Sequence, residues 1–257
     1  KTAGIITEYN PLHYGHAFLM QAVRRQYGGD TAIICAMSGD FVQRGDFALV
    51  RRQARAEAAV RSGADLVLEL PLPWAVSSAE GFARGGIDVL TGTGMLDVLA
   101  FGSECGDSAA LLRAAKALES PALPPLLKAA LAQGDNFAAA RQRAVSALLA
   151  AEDTALLSSP NNTLGIEYCR ALLQSGSEPE IFTVSRTGAA HDAAVGDAGG
   201  YSASAIRQLL GDGRRADALS RMVPAMQAAY AAEEAAGRAP VFASACERAI
   251  LSRLRGM

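Results

Sequence analysis

An α/β fold built on a parallel, doubly wound sheet is predicted by three features of the chain. Short, almost continuously apolar runs recur at residues 3–7, 31–37, 65–70 and 97–101, as strands buried on both faces require. Helix-length segments separate these runs, and such alternation yields parallel sheets. Each run is followed by a polar or Gly-containing stretch, and ligands of open α/β sheets gather at that C-terminal edge.

The bulk composition agrees with a full core. Half of the 257 residues are apolar, 19% are charged and the formal net charge is -2. No apolar run is long enough to span a bilayer, and Lys1-Thr2 runs straight into the first strand without a secretory pattern. A soluble, cytoplasmic protein without a membrane partner is the expectation. Cys35, Cys105, Cys169 and Cys246 form no C-x-x-C pair, which argues against a zinc site or a disulfide framework. Near-neutral charge neither demands nor excludes a nucleic-acid partner. The arginine clusters at Arg51-Arg52-Arg55, Arg141-Arg143 and Arg214-Arg215-Arg221 read as solvated helix faces.

In chain order, the first strand ends in a loop from Glu8 to His16, and a helix follows from Ala17 to Arg25. The second strand, Thr31 to Met37, opens into a loop from Ser38 to Asp46. The third, Asp65 to Leu70, opens into Pro71-Leu72-Pro73-Trp74, and the fourth, Asp97 to Phe101, into Gly102-Ser103-Glu104. From about 108 to 151 the pattern turns to Ala- and Leu-rich helices punctuated by prolines, read as a helical insertion. Ser159-Pro160-Asn161-Asn162 opens a helix read over Leu164 to Gln174, and Glu180 to Arg186 reads as a fifth strand. Residues 188–200, rich in Gly, Ala and Asp, read as a mobile surface loop carrying an exposed His191. A helix begins near Ser202, and the remainder is helical. The expected division is a nucleotide-binding domain over 1–215 and a helical C-terminal segment over 216–257, cut short at an uncapped helix.

His13-Tyr14-Gly15-His16 carries the sharpest chemical signal. Two of the three histidines sit between a strand and a helix N-terminus, where backbone N–H groups and the helix dipole attract a phosphate chain. Both imidazoles can donate to triphosphate oxygens and to the charge developing on a departing pyrophosphate. Gly15 allows close backbone approach. Ser202-Ala203-Ser204-Ala205-Ile206-Arg207 is the second signal: hydroxyls at a helix start with an arginine one turn on can hold phosphates.

These residues resemble the H-x-G-H nucleotidyltransferase superfamily and, more narrowly, the bacterial tRNA(Met) cytidine acetate ligase family. The narrower resemblance rests on residues 4–16, Met37 to Asp46, Gly63 to Pro71, Phe101-Gly-Ser-Glu104 and Pro160 to Tyr168. It implies a Rossmann-like, HIGH-type fold with additional C-terminal helices. It also implies an ATP-dependent ligase that joins acetate and ATP into acetyl-adenylate and passes the acetyl group to N4 of the wobble cytidine of elongator tRNA(Met). Carried over by position, Gly4, Ile5, Ile6, Thr7, Glu8, Tyr9, Asn10, Pro11, His13, Gly15 and His16 hold ATP. Gly102, Asn161, Asn162 and Arg186 complete the pocket, and Ser204 and Arg207 form the second phosphate motif. His13, His16 and Arg207 are the catalytic candidates. Mg²⁺ is expected with the ATP, although no carboxylate cluster announces itself as its ligand. The resemblance further implies a longer protein, with a C-terminal region assisting tRNA binding. Tyr14 stands where a smaller polar residue is expected.

Arg44 stays open between acetate, a phosphate, the tRNA backbone and a structural role. Glu8, Asp40 and Glu69 are open between the site and loop organisation, and Trp74 between core and base stacking. Two other functions fit the motifs: a small-molecule adenylyltransferase of the same fold, and an inactive nucleotide- or RNA-binding protein.

Overall fold

A computed structural model describes residues 1–185 and 202–256. Its main sheet has five parallel strands: β1 (Thr2–Thr7), β2 (Ala32–Ser38), β5 (Leu66–Leu70), β6 (Val98–Ser103) and β7 (Glu180–Ser185), in the spatial order β5-β2-β1-β6-β7. A two-stranded hairpin, β3 (Phe41–Val42) and β4 (Asp46–Phe47), lies between β2 and β5 in sequence. The chain moves outward on one side of β1 through β2 and β5, then crosses back to β6 and β7. The order therefore reverses between β1 and β6, where ligands of such sheets bind.

Alternation along the strands divides the core into two layers. Ala3, Ile5, Ile33, Cys35, Met37, Val98 and Ala100 face one side. They pack there against α1 (Tyr14–Tyr27), α2 (Arg52–Arg61), α10 (Ala203–Gly211) and α12 (Pro224–Ala235). Ile6, Ile34, Ala36, Leu99 and Phe101 face the other side, against α4 (Ala79–Thr91), α5 (Ser108–Leu118) and α9 (Pro160–Ser175). Burying an aliphatic side chain of this kind stabilises by about 1.5–3 kcal/mol, so the continuously apolar strands serve both layers.

Several sequence expectations shift in detail. β6 runs on through Gly102 and Ser103, read above as loop, because β7 pairs with them through Val184 and Ser185. The stretch after β5 contains a short helix, α3 (Leu72–Ala75), with proline in its first turn, where proline costs no hydrogen bond. Trp74 from it is half-buried against Gly85, a core position. Within the expected insertion, α5 buries Leu111, Ala114 and Ala115 in the second layer, and α6 (Leu123–Ala132), α7 (Phe137–Ser146) and α8 (Ala151–Ala155) follow it along the chain, α7 adding Val145 to the same layer. The C-terminal segment supplies α11 (Arg215–Ser220), α12 and α13 (Ala243–Arg255). Ala218, Met222, Val223, Met226 and Tyr230 join the first core layer, so most of 216–230 is continuous with the sheet. No helix among the described residues is long and apolar enough to cross a membrane.

Candidate active site

The chain leaves β1 under close control. The Glu8 carbonyl accepts from Arg55 Nη1, and the Glu8 carboxylate accepts from the Gln43 amide at 2.8 Å. Burial raises the Glu8 carboxyl above its ordinary value, against the pull of the Gln43 amide, Arg207 and Arg55. Tyr9 has φ +45°, the only non-glycine residue with positive φ among those described, a conformation costing about 1–3 kcal/mol. Its buried hydroxyl meets Cys35 Sγ at 3.3 Å. Asn10 Oδ1 accepts from Leu49 N at 2.7 Å and Nδ2 donates to the Phe47 carbonyl at 3.4 Å. Pro11 and Leu12 are buried behind it.

His13 is the N-cap of α1, with extended backbone and its Nδ1 accepting from Gly15 N at 3.1 Å. His16 Nδ1 accepts in return from His13 N at 3.3 Å. This is a capping box made with two imidazoles. Because Nδ1 is an acceptor in both rings, the neutral form of each imidazole carries its proton on Nε2. The rings stack with centroids 3.8 Å apart and planes 29° apart, and the Tyr9 ring meets His16 edge-on at 5.0 Å. A Cβ on residue 15 would come within 2.9 Å of His13 Cε1, so the glycine is required by the imidazole itself. An antiparallel bridge to Met222 holds the His13 backbone from the other side.

The second motif meets the first. Ser202 Oγ caps α10 by accepting from Ala205 N at 3.1 Å and shares a 3.0 Å hydrogen bond with Ser204 Oγ. Ser204 is exposed and Arg207 half-buried. Arg207 Nη1 donates to the Asn10 carbonyl at 2.6 Å, which brings a guanidinium to the histidine loop across 197 positions of sequence.

Across the sheet reversal the arrangement differs. Glu104 receives Asn161 N at 3.1 Å and Asn161 Nδ2 at 2.7 Å on Oε1, and Asn162 N at 2.7 Å on Oε2. It thereby covers the N-terminus of α9. Burial pushes the Glu104 carboxyl up, but these hydrogen bonds outweigh it and hold the group below its ordinary value. Asn162, buried, accepts from Cys105 N at 3.1 Å. Gly102 is half-buried beside this turn. Arg186 and His191 lie outside the described residues, as does the side chain of Arg44.

The remaining residues of the first motif lie deeper in the sheet. Gly4, Ile5, Ile6 and Thr7 are buried within β1. A Cβ on residue 4 would meet Leu96 and Leu90 at 2.6 and 2.8 Å, so this glycine answers to core packing under α4. Asp40 Oδ1 accepts from Arg52 N at 2.8 Å at the start of α2, and Glu69 accepts from Arg52 Nη1 at 3.1 Å; both serve to organise loops.

Arg55 corrects the expectation of a solvated cluster: it is the largest fully buried side chain. Most of the other arginines of the three clusters are held by carboxylates. Arg51 binds Glu233 bidentately, Arg141 meets Glu167, Arg143 meets Asp135, and Arg214 and Arg215 meet Asp217 and Glu234. Among the described residues, no group of three or more His, Cys, Asp or Glu side chains is placed to hold a metal ion. The arrangement brings together two imidazoles, a helix N-terminus and a guanidinium.

The model of the HIGH Nucleotidyl Transferase family matches residues 1–257. The tRNA(Met) cytidine acetate ligase of Syntrophotalea carbinolica is 45% identical over 223 residues, 85% of this chain and 53% of that protein. That of Acetivibrio thermocellus is 36% identical, covering 100% of this chain and 64% of its own length. Among solved structures, Thermotoga maritima TmcAL bound with alpha-thio ATP superposes with a TM-score of 0.84 at 34% identity, over 94% of this chain and 58% of that one. The chain thus spans about half to two thirds of the length of these relatives. With the model matched from end to end and the histidine pair at its β1 exit, the chain belongs to the HIGH nucleotidyltransferase family.

Proposed function

We propose that this chain is the adenylate-forming part of a tRNA(Met) cytidine acetate ligase, activating acetate with ATP and passing the acetyl group to N4 of the wobble cytidine of elongator tRNA(Met). The observation that carries this reading is the stacked His13–His16 pair, each ring turned by its Nδ1 cap so that Nε2 carries the proton. The relatives named as such ligases and the solved relative carrying an ATP analogue support it.

Acetate is already ionised near neutral pH, so its oxygen attacks the α-phosphorus without a general base. The bond from that phosphorus to the β-bridging oxygen breaks, and pyrophosphate leaves with the electron pair. Catalysis of such a displacement lies in positioning and in neutralising the leaving group. The Nε2–H donors of His13 and His16, with Arg207 beside them, answer that need. In the second step the cytidine N4 lone pair attacks the acetyl carbon, the bond to the adenylate oxygen breaks, AMP departs and the amine loses a proton.

Among the described residues, no cluster of His, Cys, Asp or Glu side chains offers Mg²⁺ a cage. The ion would enter with the polyphosphate, whose charge it neutralises, and no step here depends on it. Isotope exchange between pyrophosphate and ATP is expected only when acetate is present. Exchange that instead requires a phosphorylated metabolite would sink the acetate assignment, and intact tRNA(Met) examined for acetylcytidine tests the second step.

A further inference from the structure

We propose that Arg55 is a positioning residue for the nucleotide loop, clamping the exits of β1 and β2 together so that residues 8–16 are held ready for ATP. This rests on the reading of that loop as the ATP site. Arg55 rises from α2 and is wholly buried. Its Nε donates to the Val50 carbonyl at 3.0 Å, Nη2 to the Ser38 carbonyl at 3.1 Å and to that of Gly39, and Nη1 to the carbonyl of Glu8. One side chain thus gathers four backbone acceptors from three separate segments.

The need arises from the fold. Carbonyls at the ends of β1 and β2 lie past the last ladder bonds, yet buried carbonyls must find donors. A guanidinium offers five N–H groups in a rigid plane and can serve several at fixed angles; an ammonium is a point with rotating donors. Among the described residues no carboxylate touches Arg55. Asp40, Glu8 and Glu69 support its charge from a distance, and although burial lowers its pKa to about 10, it stays protonated at neutral pH.

What the clamp fixes is the first residue of the loop. Glu8 is held by its carbonyl through Arg55 and by its carboxylate through the Gln43 amide. Asn10 is tied in turn to Phe47 and Leu49. Between those two anchors sits Tyr9 in its left-handed conformation. Such a conformation persists only when its surroundings over-determine it, and Arg55 is the buried hub of those surroundings. Beyond Asn10 follow the histidines.

The test is calorimetric titration of the whole 257-residue chain with ATP, reading dissociation constant and stoichiometry separately, beside amide hydrogen exchange over residues 8–16. Arg55→Lys keeps the charge without the fork, and Arg55→Met keeps approximate size without donors. The expected result for Arg55→Lys is about one site per chain, a dissociation constant raised about tenfold, the scale of one lost hydrogen bond, and faster exchange from Tyr9 to His16. Unchanged affinity and exchange in either folded variant would overturn the proposal. So would lowered stoichiometry at unchanged affinity, which marks a loss of folded protein only, and so would failure of both variants to fold. Failure of the wild-type chain to bind ATP refutes the parent reading instead, and is read before any variant is made.

Discussion

At the β1 exit, His13 and His16 each use Nδ1 to accept from the backbone at the start of their own helix. At the β6 exit, Asn161 and Asn162 also bind locally, to Glu104 and Cys105, and these bonds shape a turn and a helix start. Both exits cap a helix. The first caps with imidazole nitrogens, while the second uses a carboxylate as cap and places negative charge at the start of α9. A polyphosphate is attracted to the first arrangement and repelled by the second. Under the proposed function, the comparison predicts the phosphates on the histidine side and the uncharged parts of the nucleotide on the Gly102 side.

The largest effect tests the division of labour within His16. His16→Ala is expected to lower turnover by roughly a hundredfold or more, the scale of one lost oxyanion-type donor, with about 1 kcal/mol of stability lost through the cap. His16→Asn puts an acceptor where Nδ1 was and should recover the stability alone. His16→Gln puts an amide N–H where Nε2 was and should recover part of the turnover. Equal rates for the Asn and Gln variants, by pyrophosphate exchange, would remove the Nε2 donor from the mechanism.

Next in size is Arg207→Ala. Loss of a charge-assisted hydrogen bond predicts ATP affinity weakened about tenfold to a hundredfold, checked by calorimetry; unaltered affinity would return Arg207 to a purely structural tie on the Asn10 carbonyl. Gly15→Ala should then cut turnover several-fold, because the added methyl would stand 2.9 Å from His13 Cε1 and the ring must shift. An unshifted ring in a crystal structure of that variant would contradict the prediction.

The difference between the two exits also explains what the sequence reveals. The histidine pair is a local device: a spacing of three across a strand-to-helix junction is enough to stack the rings, so composition and position announce it. The tie of Arg207 to Asn10 joins residues 197 positions apart, and no period displays it; only the longer resemblance paired the two motifs. Arg55 was masked by its neighbours, since Arg51 and Arg52 are exposed. The available signal was its spacing from Ala58 and Ala59, three and four residues on, which puts it on the buried stripe of α2. The β3–β4 hairpin has two residues per strand, too few for any alternation to register. The three central strands, β2, β1 and β6, were legible because burial on both faces writes them as apolar runs, and β6 was cut short because Gly102 and Ser103 look like loop residues until β7 is seen to pair with them.

The smallest effect concerns the carboxylate side. Glu104→Gln removes the charge from the start of α9 while keeping an acceptor oxygen, and is expected to cost about 1 kcal/mol at neutral pH. The sign of its pH dependence follows from the wild-type group. Its folded-state value lies below the ordinary 4.5, despite burial, because the Asn161 and Asn162 donors favour the charged form. Folding therefore gains stability from the ionised group above about pH 4.5 and loses that gain as pH falls through the lower, folded-state value. The stability difference between wild type and Glu104→Gln, measured by urea unfolding at several pH values, should be constant from neutral pH down to about 4.5 and shrink below it. A difference that held steady in acid would mean that the cap works through hydrogen bonding alone. The contrast of charge between the two exits would then lose its electrostatic meaning.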